Sequence, residues 1–222
     1  MKNGSFNKDI EEEKTVKNLI QKFNIQCCIE TGTYTGCTTE WFAKLLKQVF
    51  TVEITDKWYS YSLNKFKDKD NIDITKMSSE KWLEVLLPKI KEKYKTPLFY
   101  LDAHWDNYWP LLNEINIIAK NYNDDDKGFI IIIDDFKVPN RKFQFDNYNN
   151  QPNDIEFVKE SLSKLKEHIY FYKNRSSSYH ESLRPGTIGV GKLYIVSKNL
   201  FDINNLKEEE IYTIENGEKY NL

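Results

Sequence analysis

Arginine is scarce in this chain. Of its 32 basic residues only three are arginine (Arg141, Arg175, Arg184) and 29 are lysine. With the abundant asparagine and isoleucine, that skew reads as coding-sequence composition rather than function. Cysteine is rare as well: there are three, and Cys27 and Cys28 are adjacent. Such a set excludes a disulfide framework and predicts a reducing, cytoplasmic setting. No apolar run approaches the roughly 20 residues of a membrane-spanning helix. The longest, Phe129–Ile133, has the length of a strand. The first twenty residues carry Glu11-Glu12-Glu13-Lys14 and do not read as a secretory signal. An excess of one charge is also lacking. The 34 acidic residues bring the net charge to -2, which removes the electrostatic case for nucleic acid or an anionic membrane.

What is present suffices for one core: 222 residues, 40% hydrophobic and 14% aromatic. Helix-like and strand-like segments alternate without repeats. The pattern predicts helices over 8–23, 38–48, 56–66, 79–94, 109–122 and 155–167, and short strands at 27–30, 49–54, 71–77, 97–103 and 128–134. Strands apolar on both faces and separated by helices imply a parallel sheet covered on both sides. Two later strands, 169–172 and 188–196, have only a polar loop between them and are expected to be antiparallel. The predicted fold is α/β: a Rossmann-like, doubly wound, seven-stranded, mostly parallel sheet with an antiparallel pair near the C-terminus. One domain spans 1–222, with a helical extension at 1–24, the core at 25–197 and a peripheral tail at 198–222.

In such sheets ligands sit at the carboxyl ends of the strands. Those ends read Glu30-Thr31-Gly32, Glu53-Ile54-Thr55, Met77-Ser78-Ser79, Asp102-Ala103-His104 and Asp134-Asp135-Phe136. Gly32 permits a tight turn and Gly36 lets the next helix start flush. The spacing is not that of a dinucleotide fingerprint, since Tyr34 stands where a middle glycine is wanted, and no Walker lysine follows. Glu53 is placed to accept the hydroxyls of a ribose. Asp102, Asp134 and Asp135 fall at one rim if strands four and five are neighbours. Three carboxylates that close repel unless a cation lies between them, and a hard divalent ion suits oxygen ligands. His104 could join as a ligand, favouring manganese, or serve as an acid–base group.

The glycine turn with its two strand-end acids resembles the class I S-adenosylmethionine-dependent methyltransferases. The resemblance implies that Glu30, Thr31, Gly32, Tyr34, Gly36 and Cys37 surround the methionine and ribose of the cofactor. It further implies that Glu53 holds the ribose, Ile54 flanks the adenine and Ser78 or Ser79 reaches its edge. Together with Tyr100-Leu101-Asp102, Tyr108-Trp109-Pro110-Leu111-Leu112 and Ile133-Asp134-Asp135-Phe136, the pattern is similar to the macrocin O-methyltransferase (TylF-like) family over about residues 25–140. That likeness implies a sugar O-methyltransferase whose magnesium is held by Asp102, Asp134 and Asp135. His104 stands where that family has a second acid, and Phe136 where it has tyrosine.

The expected activity is therefore methyl transfer from S-adenosylmethionine to a hydroxyl of a sugar, glycoside or related small molecule, assisted by magnesium or manganese. Asp102 or His104 would take the proton, and Asp102 also belongs to the cofactor set. Self-association into a homo-oligomer stays open. Two other readings compete. Asp102-Ala103-His104-Trp105-Asp106 matches a motif of arginase-like hydrolases, and a non-catalytic cofactor-binding domain would keep the same pocket. The loop 173–187, with Arg175, His180 and Arg184, and the polar insertion 140–153, with Phe143 and Tyr148, are candidate acceptor walls.

Overall fold

Successive residues of a strand point to opposite faces of its sheet, and that rule sorts the core here. Cys27, Ile29, Phe99, Leu101, Ile131 and Ile133 pack on one side with Trp82, Leu87, Ile115 and Val158. Cys28, Leu98, Tyr100, Ile130 and Ile132 pack on the other with Val16, Leu19 and Phe42. The adjacent cysteines are thus buried on opposite faces, both as free thiols.

A computed structural model describes residues 4–104, 108–172, 189–204 and 218–221. Helix α1 (Ile10–Lys22) precedes strand β1 (Cys27–Thr31). Four further units follow: α2 (Cys37–Ala43), β2 (Gln48–Glu53), α3 (Asp56–Phe66), β3 (Ile72–Lys76), α4 (Ser79–Ile90), β4 (Leu98–Leu101), α5 (Leu111–Tyr122) and β5 (Ile130–Ile133). A two-stranded ribbon, β6 (Asn147–Tyr148) with β7 (Gln151–Pro152), comes before α6 (Ile155–Leu162). Then come β8 (His168–Tyr172), β9 (Leu193–Ser197), α7 (Asn199–Asn204) and β10 (Glu218–Asn221).

The main sheet runs β10-β8-β9-β5-β4-β1-β2-β3. Strands β3, β2, β1, β4 and β5 are parallel, and β9 is antiparallel to both β5 and β8. The seven expected strands and their antiparallel pair are all in place. An eighth strand, β10, pairs antiparallel with β8 at the sheet's edge, in a tail whose charge gave no strand signal. The strand order reverses between β1 and β4, so a crevice opens at their carboxyl ends.

The helix expected over 38–48 stops at Ala43. The Asn71 side-chain amide donates to the carbonyls of Ala43 and Leu46, satisfying groups that a longer helix would bond internally. Leu45 and Val85, apolar residues that helical spacing groups with the buried faces of their segments, are exposed. Trp105, Asp106, Arg175, His180, Arg184 and Glu208-Glu209-Glu210 lie outside the described residues.

Candidate active site

The crevice holds a cavity of about 400 Å³ bordered by Gly32, Tyr34, Glu53, Ile54, Ser79 and Asp102, with His104, Asp134 and Asp135 at its far rim. That volume is in the range of small-molecule sites. A second chamber of about 100 Å³ shares Gly32, Tyr34, Asp102 and Asp134 with it and adds Glu30 and Cys37. Six of the residues expected around the cofactor therefore border the first chamber, and Glu30 and Cys37 border the second.

The turn after β1 is built for close approach. Gly32 has φ +86, and a Cβ there would lie 2.6 Å from the carbonyl oxygen of Asp102. Only glycine lets β1 and β4 approach so closely while leaving open floor between them. Tyr34 also takes a positive φ, and its ring rests on Trp58 with centroids 4.3 Å apart. Its amide donates to Oε2 of Glu53 at 2.9 Å. The other oxygen, Oε1, accepts from the amide and hydroxyl of Thr55, each at 2.8 Å. Glu53 is thereby locked in orientation with one lone pair of Oε2 left for a ligand hydroxyl.

Three expected residues do not border either chamber. Thr31 is fully buried, and its hydroxyl accepts from the Asp102 amide, so it joins β1 to β4. Gly36 turns away: a Cβ there would meet the Phe66 ring at 2.5 Å, so its absence admits helix α3. Ser78 stands just before α4, and its neighbour Ser79 borders the cavity instead. Glu30 reaches the smaller chamber from the interior. Its Oε2 accepts from the hydroxyls of Thr39 and Thr51. Burial outweighs those bonds and pushes its pKa up to about 7.

At the rim, Asp102, His104 and Asp135 converge, with one donor atom from each lying within 4.8 Å of the others. Burial, with the charges of Asp134 and Asp135, raises the Asp102 pKa. Burial and the charges of Asp134 and Asp146 push Asp135 up to about 7. The Asp102–Asp134–Asp135 set expected from the sequence is divided. Asp134 turns inward to an ion pair with Lys192 and a hydrogen bond from Tyr100, both of them buried. A divalent cation suits the trio with His104, which offers two carboxylates and an imidazole. It does not suit Asp134, whose oxygens are already engaged.

Sequence reading missed Lys192 and Asp146, and it placed Tyr148 in a candidate acceptor wall without its contact to His104. Lys192 directly precedes β9, and the antiparallel register that pairs Ile133 with Leu193 sets it opposite Asp134. Asp146 and Tyr148 come from the insertion after β5. The Tyr148 hydroxyl lies 2.5 Å from Nδ1 of His104, and Asp146 lies 3.8 Å from Nε2. Asn153 anchors this ribbon by donating to the carbonyls of Asp134 and Asp135. The insertion's place near the site was legible; its ring-to-ring contact was not.

No family model matches the chain, and no curated protein matches it. Solved structures do. An O-methyltransferase from Bacillus cereus in complex with SAH superposes with a TM-score of 0.58 at 17% identity, covering 84% of this chain and 80% of that one. A putative O-methyltransferase from Klebsiella pneumoniae gives 0.55 at 13%, covering 84% and 79%. The methyltransferase domain of a bacterial Hen1 protein, CtHen1, gives 0.56 at 14%, covering 84% and 97%. At such identities the likeness speaks for fold. The chain has the α/β fold of these methyltransferases, and the arginase-like alternative is not favoured.

Proposed function

We propose that this chain is an S-adenosylmethionine-dependent O-methyltransferase acting on a hydroxyl of a sugar or related small molecule, assisted by a divalent cation. One observation carries the reading: the donor trio Asp102, His104 and Asp135 stands at the rim of the cavity that Gly32 and Glu53 border. The cofactor's half would lie over Gly32 and Tyr34, with Glu53 toward a ribose and Ile54 and Ser79 toward the base. Glu30 and Cys37 border the chamber suited to the methionine end. When bound, S-adenosylmethionine supplies a methyl group already activated by its sulfonium.

An alcohol is a poor nucleophile at neutral pH. A divalent cation at the trio would supply Lewis acidity to an acceptor oxygen. Asp102 and His104 are the groups placed to take the hydroxyl proton. With Tyr148 on Nδ1, His104 has one other ring nitrogen, so ligation and proton uptake are alternatives for it. Asp102 has two oxygens and can serve both ends. Fixing donor and acceptor in one crevice adds the advantage of proximity. The sugar acceptor rests on the resemblance to the TylF-like family and on the polar rim.

The test is calorimetric titration of chelator-treated protein with S-adenosylhomocysteine, with and without manganese. Micromolar binding of the cofactor product, and a metal signal lost in Asp135→Asn, are the expected results. Absence of cofactor binding would overturn the reading. Binding without transfer to any hydroxyl acceptor in a broad screen would leave a cofactor-binding domain.

A further inference from the structure

Lys192 is about 5% exposed, so little solvent reaches its charge. Burial by itself would lower its pKa. The charges of Asp134 and Glu12, with the bond to Asp134, outweigh burial and raise it, favouring the ammonium form. Its placement follows from backbone geometry. The β5–β9 register brings residue 192 opposite residue 134. At the end of that pairing the Phe136 amide donates to the carbonyl of Gly191 at 2.8 Å. A Cβ at Gly191 would lie 2.1 Å from the Phe136 oxygen, so glycine is required for the two segments to close.

Asp134 is held from three directions. Lys192 and Tyr100 bond its side chain, and Oδ1 also accepts the amide of Asp135 at 2.9 Å. That last bond folds the Asp134–Asp135 turn back on itself. Asp135 takes φ +49, a conformation L residues seldom adopt without support. The turn sends Asp134 into the protein and Asp135 toward Asp102 and His104. Glu12 of α1, 1% exposed, accepts from Tyr194 and adds its charge to the same network.

We propose that Lys192 is a positioning residue whose ammonium occupies, at Asp134, the place of a divalent cation, and that through Asp134 it aims Asp135 into the cleft. The inference deepens the reading above and rests on it for the role of Asp135. The ammonium's place at Asp134 stands on geometry alone. A corollary is that removing the ammonium uncovers a cation site that the native chain lacks.

The experiment is thermal unfolding of the full chain with and without Mn²⁺, for the wild type, K192M, K192R and K192M/D134N. Without metal, K192M leaves a buried carboxylate unpaired and is destabilised. Mn²⁺ at a hundredfold excess over its Kd is expected to raise the midpoint of K192M by about 5–10 °C beyond any rise in the wild type. The extra rise should be missing in K192R and in K192M/D134N. If K192M is unfolded without metal, recovery of its helical circular dichroism on adding Mn²⁺ is the same result. No extra rise or recovery, or one that persists in K192M/D134N, overturns the proposal. These outcomes do not depend on whether the wild type binds metal or cofactor. Failure of the Lys192 proposal is therefore separable from failure of the methyltransferase reading.

Discussion

The carboxylate of Glu53 and the amide of Tyr34 share a hydrogen bond of 2.9 Å. The acid that closes β2 and the loop that leaves β1 are therefore one unit. Both border the large cavity. Glu53→Gln keeps the shape but replaces a charged acceptor with a neutral amide. Hydrogen bonds to charged groups contribute about 1.5–3 kcal/mol. S-adenosylhomocysteine affinity is expected to fall about tenfold or more, read by calorimetry. Unchanged affinity would remove Glu53 from the ligand's contacts.

The two glycines of the turn do different work, and substitution separates them. Gly32→Ala sets a methyl against the Asp102 carbonyl at a positive φ, beside the cavity. Gly36→Ala sets one against the Phe66 ring, away from it. Each is expected to cost about 1–3 kcal/mol in urea denaturation, from backbone strain and crowding. Only Gly32→Ala should also weaken S-adenosylhomocysteine binding in the folded protein. Equal losses of affinity would show that Gly36 touches the ligand.

Glu114 of α5 is 1% exposed, and burial pushes its pKa up to about 8. In the unfolded chain the same group titrates near 4.3. Between those values the folded state holds a proton that the unfolded state has released, so stability falls as pH rises. Glu30, at about 7, acts in the same direction over a narrower window. Each tenfold difference in proton affinity between the folded and unfolded chain is worth about 1.4 kcal/mol. The wild type is therefore expected to be more stable at pH 5 than at pH 8, by a few kcal/mol. Glu114→Gln should flatten that slope. Urea midpoints at the two pH values measure it, and an unaltered slope in the variant would exclude Glu114 as its source.

The parallel half of the fold was legible because its signals are local. Ile130–Ile133 is apolar on every residue, and each strand end is marked by a carboxylate or serine. Glu30-Thr31-Gly32 and Glu53 needed only strand order to meet. The rim was less legible, because its partners come from far along the chain. Asp134 looked like Asp135 in the sequence, and what separates them is Lys192, 58 positions away. Asp146 and Tyr148 sat in a polar insertion with no periodicity. Their approach to His104 depends on Asn153 anchoring the ribbon to the β5 end. Strand β10 was hidden because an edge strand in a charged segment lacks the apolar alternation that marks buried ones.

The border of the large cavity draws on Asn7, Gly32, Glu53, Ser79, Asp102 and Asp135, which belong to six successive stretches of chain. Closing the loops among parallel strands costs entropy before any of these groups meet. Occupancy of the cavity thus reports that these six stretches have come together. Any ligand that binds there stabilises the assembled cleft by mass action, so its grip reads out how well these stretches are held together.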